Sequence, residues 1–289
     1  MSPMPILVKE VMVRDVAYAS LPGNRDQVLK TLQERQVSGV PVVKKEELVG
    51  MITRSDILRN REEDQTALLM TRKPITVTSD TTIMEASRLL LEHGIRRLPV
   101  VDGKKLVGII TVADIVKVAS DLNIRTDVEE YFEKDILVLW SEMPVPIAGA
   151  VMEYAQVAAC PVIDSGLKLV GIISDRDLIK SSIIEDSVGK TVLSAAHEED
   201  EWMWNSVMET TNKYYAVSRI ELRNILVKEA MVSAITVIKS VGISECASLM
   251  RKNKIDQIPV VSSSQKLIGM IRDKDIVEAL VDHSQQQPT

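Results

Sequence analysis

One phrase recurs four times along this chain and leaves few architectures open to it. GMITRSDI begins at residue 50, GIITVADI at 108, GIISDRDL at 171 and GMIRDKDI at 269, each a glycine, two apolar residues and an aspartate six positions after the glycine. A second phrase precedes each one: SGVPVV at 38–43, RRLPVV at 96–101, AACPVI at 158–163 and DQIPVV at 256–261. The proline leads the glycine by 9, 9, 10 and 10 residues, so the two phrases form one spaced signature. Short polar turns such as KKEE and DGKK separate their β-branched runs, which predicts a hairpin in every copy.

Upstream of the proline, Ile83, Ala86 and Leu90 in the second copy and Ile243, Ala247 and Met250 in the fourth are spaced to line one helix face. A short apolar stretch, PITVT or AITVI, comes before that helix, and DIVKVAS or DIVEALV continues as a second helix with the aspartate near its start. Each unit therefore reads strand, helix, strand, strand, helix. The fold class is α+β (mixed α/β), with βαββα repeats at 7–61, 69–123, 131–184 and 224–283. A repeat of about 55 residues buries only a marginal core, so the repeats should pair. Residues 185–223 interrupt the series and read as a helical insertion or linker, with Trp202 and Trp204 packing back on the body or serving a partner.

Composition narrows the function. A net charge of −6 and an aromatic content of 3% argue against nucleic acid as a direct partner, since both the basic field and the stacking platforms are missing. Cys160 and Cys246 stand alone in apolar settings and read as core thiols. His197 precedes four acids but has no second histidine at ligand spacing, so no metal site is expected there. No apolar run approaches the roughly 20 residues of a membrane span, and no signal sequence opens the chain, so the expectation is a cytoplasmic protein without membrane attachment. Neither a nucleophile elbow nor a P-loop occurs, which points away from an enzyme and from any obligatory cofactor.

The glycine phrase has two physical readings. Its Thr or Ser can cap a helix whose first turn holds the Asp, or the same hydroxyl and carboxylate can bind a ligand. The paired phrases, four times over, resemble the cystathionine-β-synthase (CBS) domain across nearly all of the chain except the insertion. The resemblance implies that repeats pair into Bateman modules with two clefts each, and that four repeats make two modules able to assemble into one disc. It also implies adenosine-containing ligands: AMP, ADP, ATP or S-adenosylmethionine.

The family's ribose and phosphate positions correspond here to Thr53 and Asp56, Thr111 and Asp114, Ser174 and Asp177, and Asp275. Arg272 replaces the hydroxyl in the fourth copy, where a phosphate contact becomes the alternative. By the same resemblance, Val37, Ser38, Gly39 and Pro41 should hold adenine and face Thr111 and Asp114 across one cleft. Arg96 and Arg97, ahead of Pro99, match phosphate positions, and Arg54 adds a cation. In the second module Ala158 and Ala159 keep the small residues for a base, while Asp256 and Gln257 replace the arginine pair and disfavour a polyphosphate. The implied function is a regulatory sensor that signals to a separate, unidentified protein, as a monomer or homodimer. The competing reading is a scaffold or inhibitor that docks on a large protein or ribonucleoprotein.

Overall fold

A computed structural model describes residues 5–60, 63–180, 182–189 and 215–286. A one-turn leader, α1 (Val8–Val11), precedes repeat 1, which consists of β1 (Ala19–Ser20), α2 (Arg25–Glu34), β2 (Gly39–Lys44), β3 (Glu47–Thr53) and α3 (Arg54–Arg59). A second leader, α4 (Thr66–Leu69) and β4 (Thr71–Arg72), precedes α5 (Ile83–Glu92), β5 (Arg97–Asp102), β6 (Lys105–Thr111) and α6 (Val112–Asp121) of repeat 2. After a 3-10 turn at Val128–Glu130, repeat 3 runs through β7 (Leu139–Trp140), α7 (Val145–Tyr154), β8 (Ala159–Ile163), β9 (Leu169–Ser174) and α8 (Asp175–Lys180). Strands β10 (Ser182–Gly189) and β11 (Tyr215–Leu222) and the leader α9 (Val227–Ala230) come next. Repeat 4 is β12 (Val237–Ile238), α10 (Ile243–Asn253), β13 (Gln257–Val261), β14 (Leu267–Arg272) and α11 (Asp273–Gln286).

The hairpins form where the turns predict them, β2 with β3, β5 with β6 and β8 with β9. Repeats 1 and 2 share one sheet in the order β1-β2-β3-β6-β5, joined where Glu47 lies opposite Lys105. Helix starts follow local chemistry: Asn24 Oδ1 accepts from Gln27 N at 3.0 Å while Gln27 Oε1 accepts from Asn24 N at 3.2 Å, a reciprocal cap on α2.

Each leader packs on another repeat. Leu7 bridges Thr82 and Val13 bridges Ile109, so the first leader lies on repeat 2; β4 pairs with β3, so the second lies on repeat 1. Asp127 bridges Gly242 and Glu133 bridges Met270, which places the third leader on repeat 4, and Pro144–Leu226 and Ile172–Val232 place the fourth on repeat 3. Leaders are therefore exchanged in the pairs 1/2 and 3/4.

This exchange explains the repeated glycine. A Cβ at Gly108 would stand 2.5 Å from Met12 Sδ and 3.2 Å from the Val13 carbonyl; at Gly50 it would meet Met70 Sδ and the Thr71 carbonyl, and at Gly171 Met231 Sδ and the Val232 carbonyl. Phe132 and the Glu133 carbonyl overlie Gly269 in the same way. The glycine is the floor on which a foreign leader lies.

The chain divides into two compact units, one of 1–134, 236–264 and 268–289, the other of 135–235 and 265–267. In the first, α10 and α11 of repeat 4 pack on α5 and α6 of repeat 2. Ile115, Ala119, Cys246, Ala247 and Leu280 are buried in the core these helices share, and Met12 and Phe132 come into it from leaders. Repeat 1 has its own core around Leu32, Val40 and Ile52, closed by Leu69 of the second leader. The second unit is built on Leu139, Met152, Cys160 and Ile173, closed by Val227. Both cysteines are buried, as core thiols should be.

The helical reading of 185–223 needs correction at its edges. There β10 and β11 pair antiparallel from Ser182 opposite Leu222 to Gly189 opposite Tyr215. The Ile, Val and Tyr content of SIIEDSVG and YAVSRIEL favours extended backbone over helix. His197, Trp202 and Trp204 lie outside the described residues. No helix among the described residues is long and apolar enough to cross a membrane.

Candidate functional site

Every repeat builds the same junction between its hairpin and its second helix. The first N–H of that helix donates to a carbonyl three residues before the proline: Arg54 to Ser38 (3.1 Å), Val112 to Arg96 (3.0 Å), Asp175 to Ala158 (2.9 Å) and Asp273 to Asp256 (2.8 Å). The motif aspartate then folds back on the cap. Asp114 Oδ2 accepts from Thr111 N at 2.9 Å and from Thr111 Oγ1 at 2.7 Å. Asp56 does the same with Thr53 (2.8 and 2.6 Å) and Asp177 with Ser174 (2.9 and 2.5 Å). In repeat 4 Asp275 accepts from Arg272 N at 2.7 Å, with no hydroxyl to add. The aspartate thus accepts from the cap N–H in all four copies and from a cap hydroxyl in three, and a ligand role must be argued from what each one faces.

The Thr111–Asp114 copy faces a cavity of about 480 Å³ between repeats 1 and 2, within the usual range for small-molecule sites. Val13, Val16 and Ala17 of the first leader form one wall, with Val37 and Ile109 as further apolar lining. Val13 is held in place by its N–H to the Ile109 carbonyl at 2.9 Å. At the rim, Asp15 and Arg35 form an ion pair at 2.6 Å. Ser38 and Gly39 supply the start of β2, a stretch that β1 does not cover because its pairing begins at Val42. Pro41 has no N–H to lose there, which suits it to an open strand edge. Burial pushes the Asp114 carboxyl above its ordinary value, against the Thr111 hydrogen bonds and Lys117.

Arg97 crosses from repeat 2 to repeat 1. Its Nη2 donates to Ser38 Oγ at 2.7 Å, whereas its Nη1 is buried with no hydrogen-bond partner among the described residues. A Cβ on Gly39 would overlap that Nη1, so the glycine makes room for the guanidinium. Burial, then Arg96 and Arg54, hold the Arg97 proton affinity below its ordinary value, with Asp56 opposing. The arrangement joins apolar walls, a hydroxyl and carboxylate at a helix start, and a guanidinium with an unmet donor. Such a site suits a flat apolar body carrying hydroxyls and an anionic group.

The cavity brings together Val37, Ser38, Gly39, Arg96, Arg97, Thr111 and Asp114. Pro41 and Pro99 are buried in their strands and shape the backbone without lining it. Thr53, Arg54 and Asp56 lie outside this cavity, in repeat 1's own junction. Ala158, Ala159, Ser174 and Asp177 belong to the second unit. Two arginines are less available than expected. Arg96 is paired with Asp273 and Asp256, and Arg272 with Glu133 at 2.5 Å. Sequence reasoning missed Val13, Asp15, Ala17 and Arg35. For the first three the signal was present in a third recurring phrase, VRDVAYAS at 13–20, TRKPITVT at 71–78, EKDILVLW at 133–140 and VSAITVIK at 232–239, which supplies the leader wall.

A profile of the CBS domain matches residues 8–63, 66–121, 128–183 and 227–282. The chain is similar to an uncharacterized conserved protein from Pyrococcus horikoshii, whose crystal structure superposes with a TM-score of 0.68 at 27% identity over 95% of this chain and 100% of that one. The uncharacterized protein MJ1225 of Methanocaldococcus jannaschii is 30% identical over 192 residues, 60% of this chain and 69% of that protein. Its crystal structure also superposes with a TM-score of 0.68, at 22% identity over 95% of this chain and 100% of that one. Protein MJ0188 of the same organism is 33% identical over 157 residues, 51% of this chain and 58% of that protein. With all four repeats matched and their hairpin-and-cap junctions in place, the chain belongs to the CBS domain family.

Proposed function

We propose that this protein is a regulatory sensor that takes an adenosine-containing ligand into the cavity between repeats 1 and 2 and passes its state to a separate protein. The observation that carries the proposal is the convergence of Ser38 and Gly39, Thr111 and Asp114, and the unmet donor of Arg97 on one cavity. The base lies between Ala17, Val37 and Ile109 and reaches the open edge of β2. Asp114 accepts from the ribose hydroxyls through the oxygen its cap leaves over, and Arg97 meets the phosphate. A sensor must bind its two states unequally, and a ligand that spans the first leader and both repeats can do so.

Isothermal titration with AMP, ADP, ATP and S-adenosylmethionine tests this. Saturable binding by the wild type is expected, weakened about 10- to 100-fold by Asp114→Asn, since a hydrogen bond to a charged group is worth about 1.5–3 kcal/mol. Absence of binding to all four compounds would sink the proposal and leave the scaffold reading in its place.

A further inference from the structure

Asp273 belongs to repeat 4, yet it governs an arginine that lines the cavity of repeats 1 and 2. Arg96 contributes to that lining, but its Nη2 lies 2.5 Å from Asp273 Oδ2 and its Nη1 3.3 Å from Asp273 Oδ1, a forked pair. Asp256 stands 3.5 Å from the same Nη2. The acid is the fixed partner. Its side chain is 7% exposed against 54% for Arg96, its N–H is bound to the Asp256 carbonyl, and it opens α11, which packs on α5 and α6. Arg97, the next residue, keeps an unmet donor. Two adjacent guanidinium groups therefore face one cavity, one already spent and one available.

We infer that Asp273 sets how many anionic groups the cavity accepts: Arg35 is held by Asp15 and Arg96 by Asp273, which leaves Arg97 as the lining arginine without a carboxylate partner among the described residues, so a monophosphate is preferred to a di- or triphosphate. A second phosphate has two courses. It must draw Arg96 away and leave a buried carboxylate uncompensated, or it must take Arg35 from Asp15 in a cavity that also holds Asp114. The inference rests on the adenosine reading for base and sugar, while its anion part can be read separately.

The full chain and its Asp273→Asn and Asp256→Asn variants are titrated with AMP, ATP and inorganic tripolyphosphate. Asp273→Asn should raise tripolyphosphate affinity, and ATP affinity relative to AMP, on the order of three- to tenfold; Asp256→Asn should move both in the same direction by less. Adding Arg96→Gln to Asp273→Asn should abolish the gain. Unchanged tripolyphosphate affinity and an unchanged ATP-to-AMP ratio in both single variants would overturn the inference, as would a gain that survives in the double variant. If Asp273→Asn fails to fold, Asp256→Asn decides, because that side chain is 58% exposed. Should no adenosine compound bind any of these proteins, the adenosine reading fails, and the tripolyphosphate comparison still decides what Asp273 does.

Discussion

A single missing methyl group does much of the structural work in each repeat. Gly108 lies under Met12 and the Val13 carbonyl, and Val13 is part of the cavity wall. Gly108→Ala should therefore cost about 1–3 kcal/mol by overpacking and weaken AMP binding by displacing that wall, measured by urea denaturation and titration. A second residue couples the fold to pH. Burial pushes the Asp275 carboxyl from 3.8 up to about 6, opposed by the Arg272 N–H, Lys274 and the Arg272 charge, with Glu133 adding to the rise. The folded state thus holds this proton more tightly than the unfolded chain. The stability it contributes is present below about pH 4 and is lost as pH rises through about 6, some 2–3 kcal/mol in all. Asp275→Asn removes that loss, so its Tm relative to wild type should climb between pH 4 and 7; a constant difference would disprove the coupling.

Among the elements, the contact of α6 with α10 joins repeat 2 to repeat 4 through small residues and one hydroxyl. Ala119 and Ala247 are fully buried and let the helices approach. Ser244 Oγ donates to the Ala119 carbonyl at 2.6 Å and accepts from Ile124 N at 2.7 Å, so it satisfies two main-chain groups at the end of α6. Ser244→Ala leaves both buried without that partner and should lower stability by about 1–3 kcal/mol in a urea titration. The helices themselves were legible, because Ile83, Ala86, Leu90 and Ile243, Ala247, Met250 repeat at helical spacing. Their mutual partner was not, since aliphatic stripes of this kind fit one another about equally well. The insertion shows the reverse case: its flanks carry β-branched residues, and they pair as strands.

At the scale of the whole molecule the leaders decide what can fold alone. Repeat 1 needs Leu69 in its core and β4 on its sheet, both of which come from the leader of repeat 2. A fragment of residues 5–63 should therefore remain unfolded by circular dichroism. A fragment of residues 5–125 retains both leaders with their receiving repeats and should fold, but it bares the face of α5 and α6 that α10 and α11 cover. Self-association in analytical ultracentrifugation is the expected consequence, and a stable monomer would contradict it.

Local chemistry was enough to specify the repeat number, the hairpins and the four aspartate caps, because each depends on residues within about ten positions of one another. Val37, Ser38, Gly39, Thr111 and Asp114 were expected in one cleft through the resemblance to the CBS domain rather than from local chemistry, and they line one cavity. Only the tertiary structure decided which leader lies on which repeat, that repeat 2 shares its helical core with repeat 4, and that the charge of Arg96 is spent on an acid 177 residues away. Those outcomes depend on which of several similar apolar faces and like-spaced charges meet, and that choice is made by packing over distances the chain's local order does not encode.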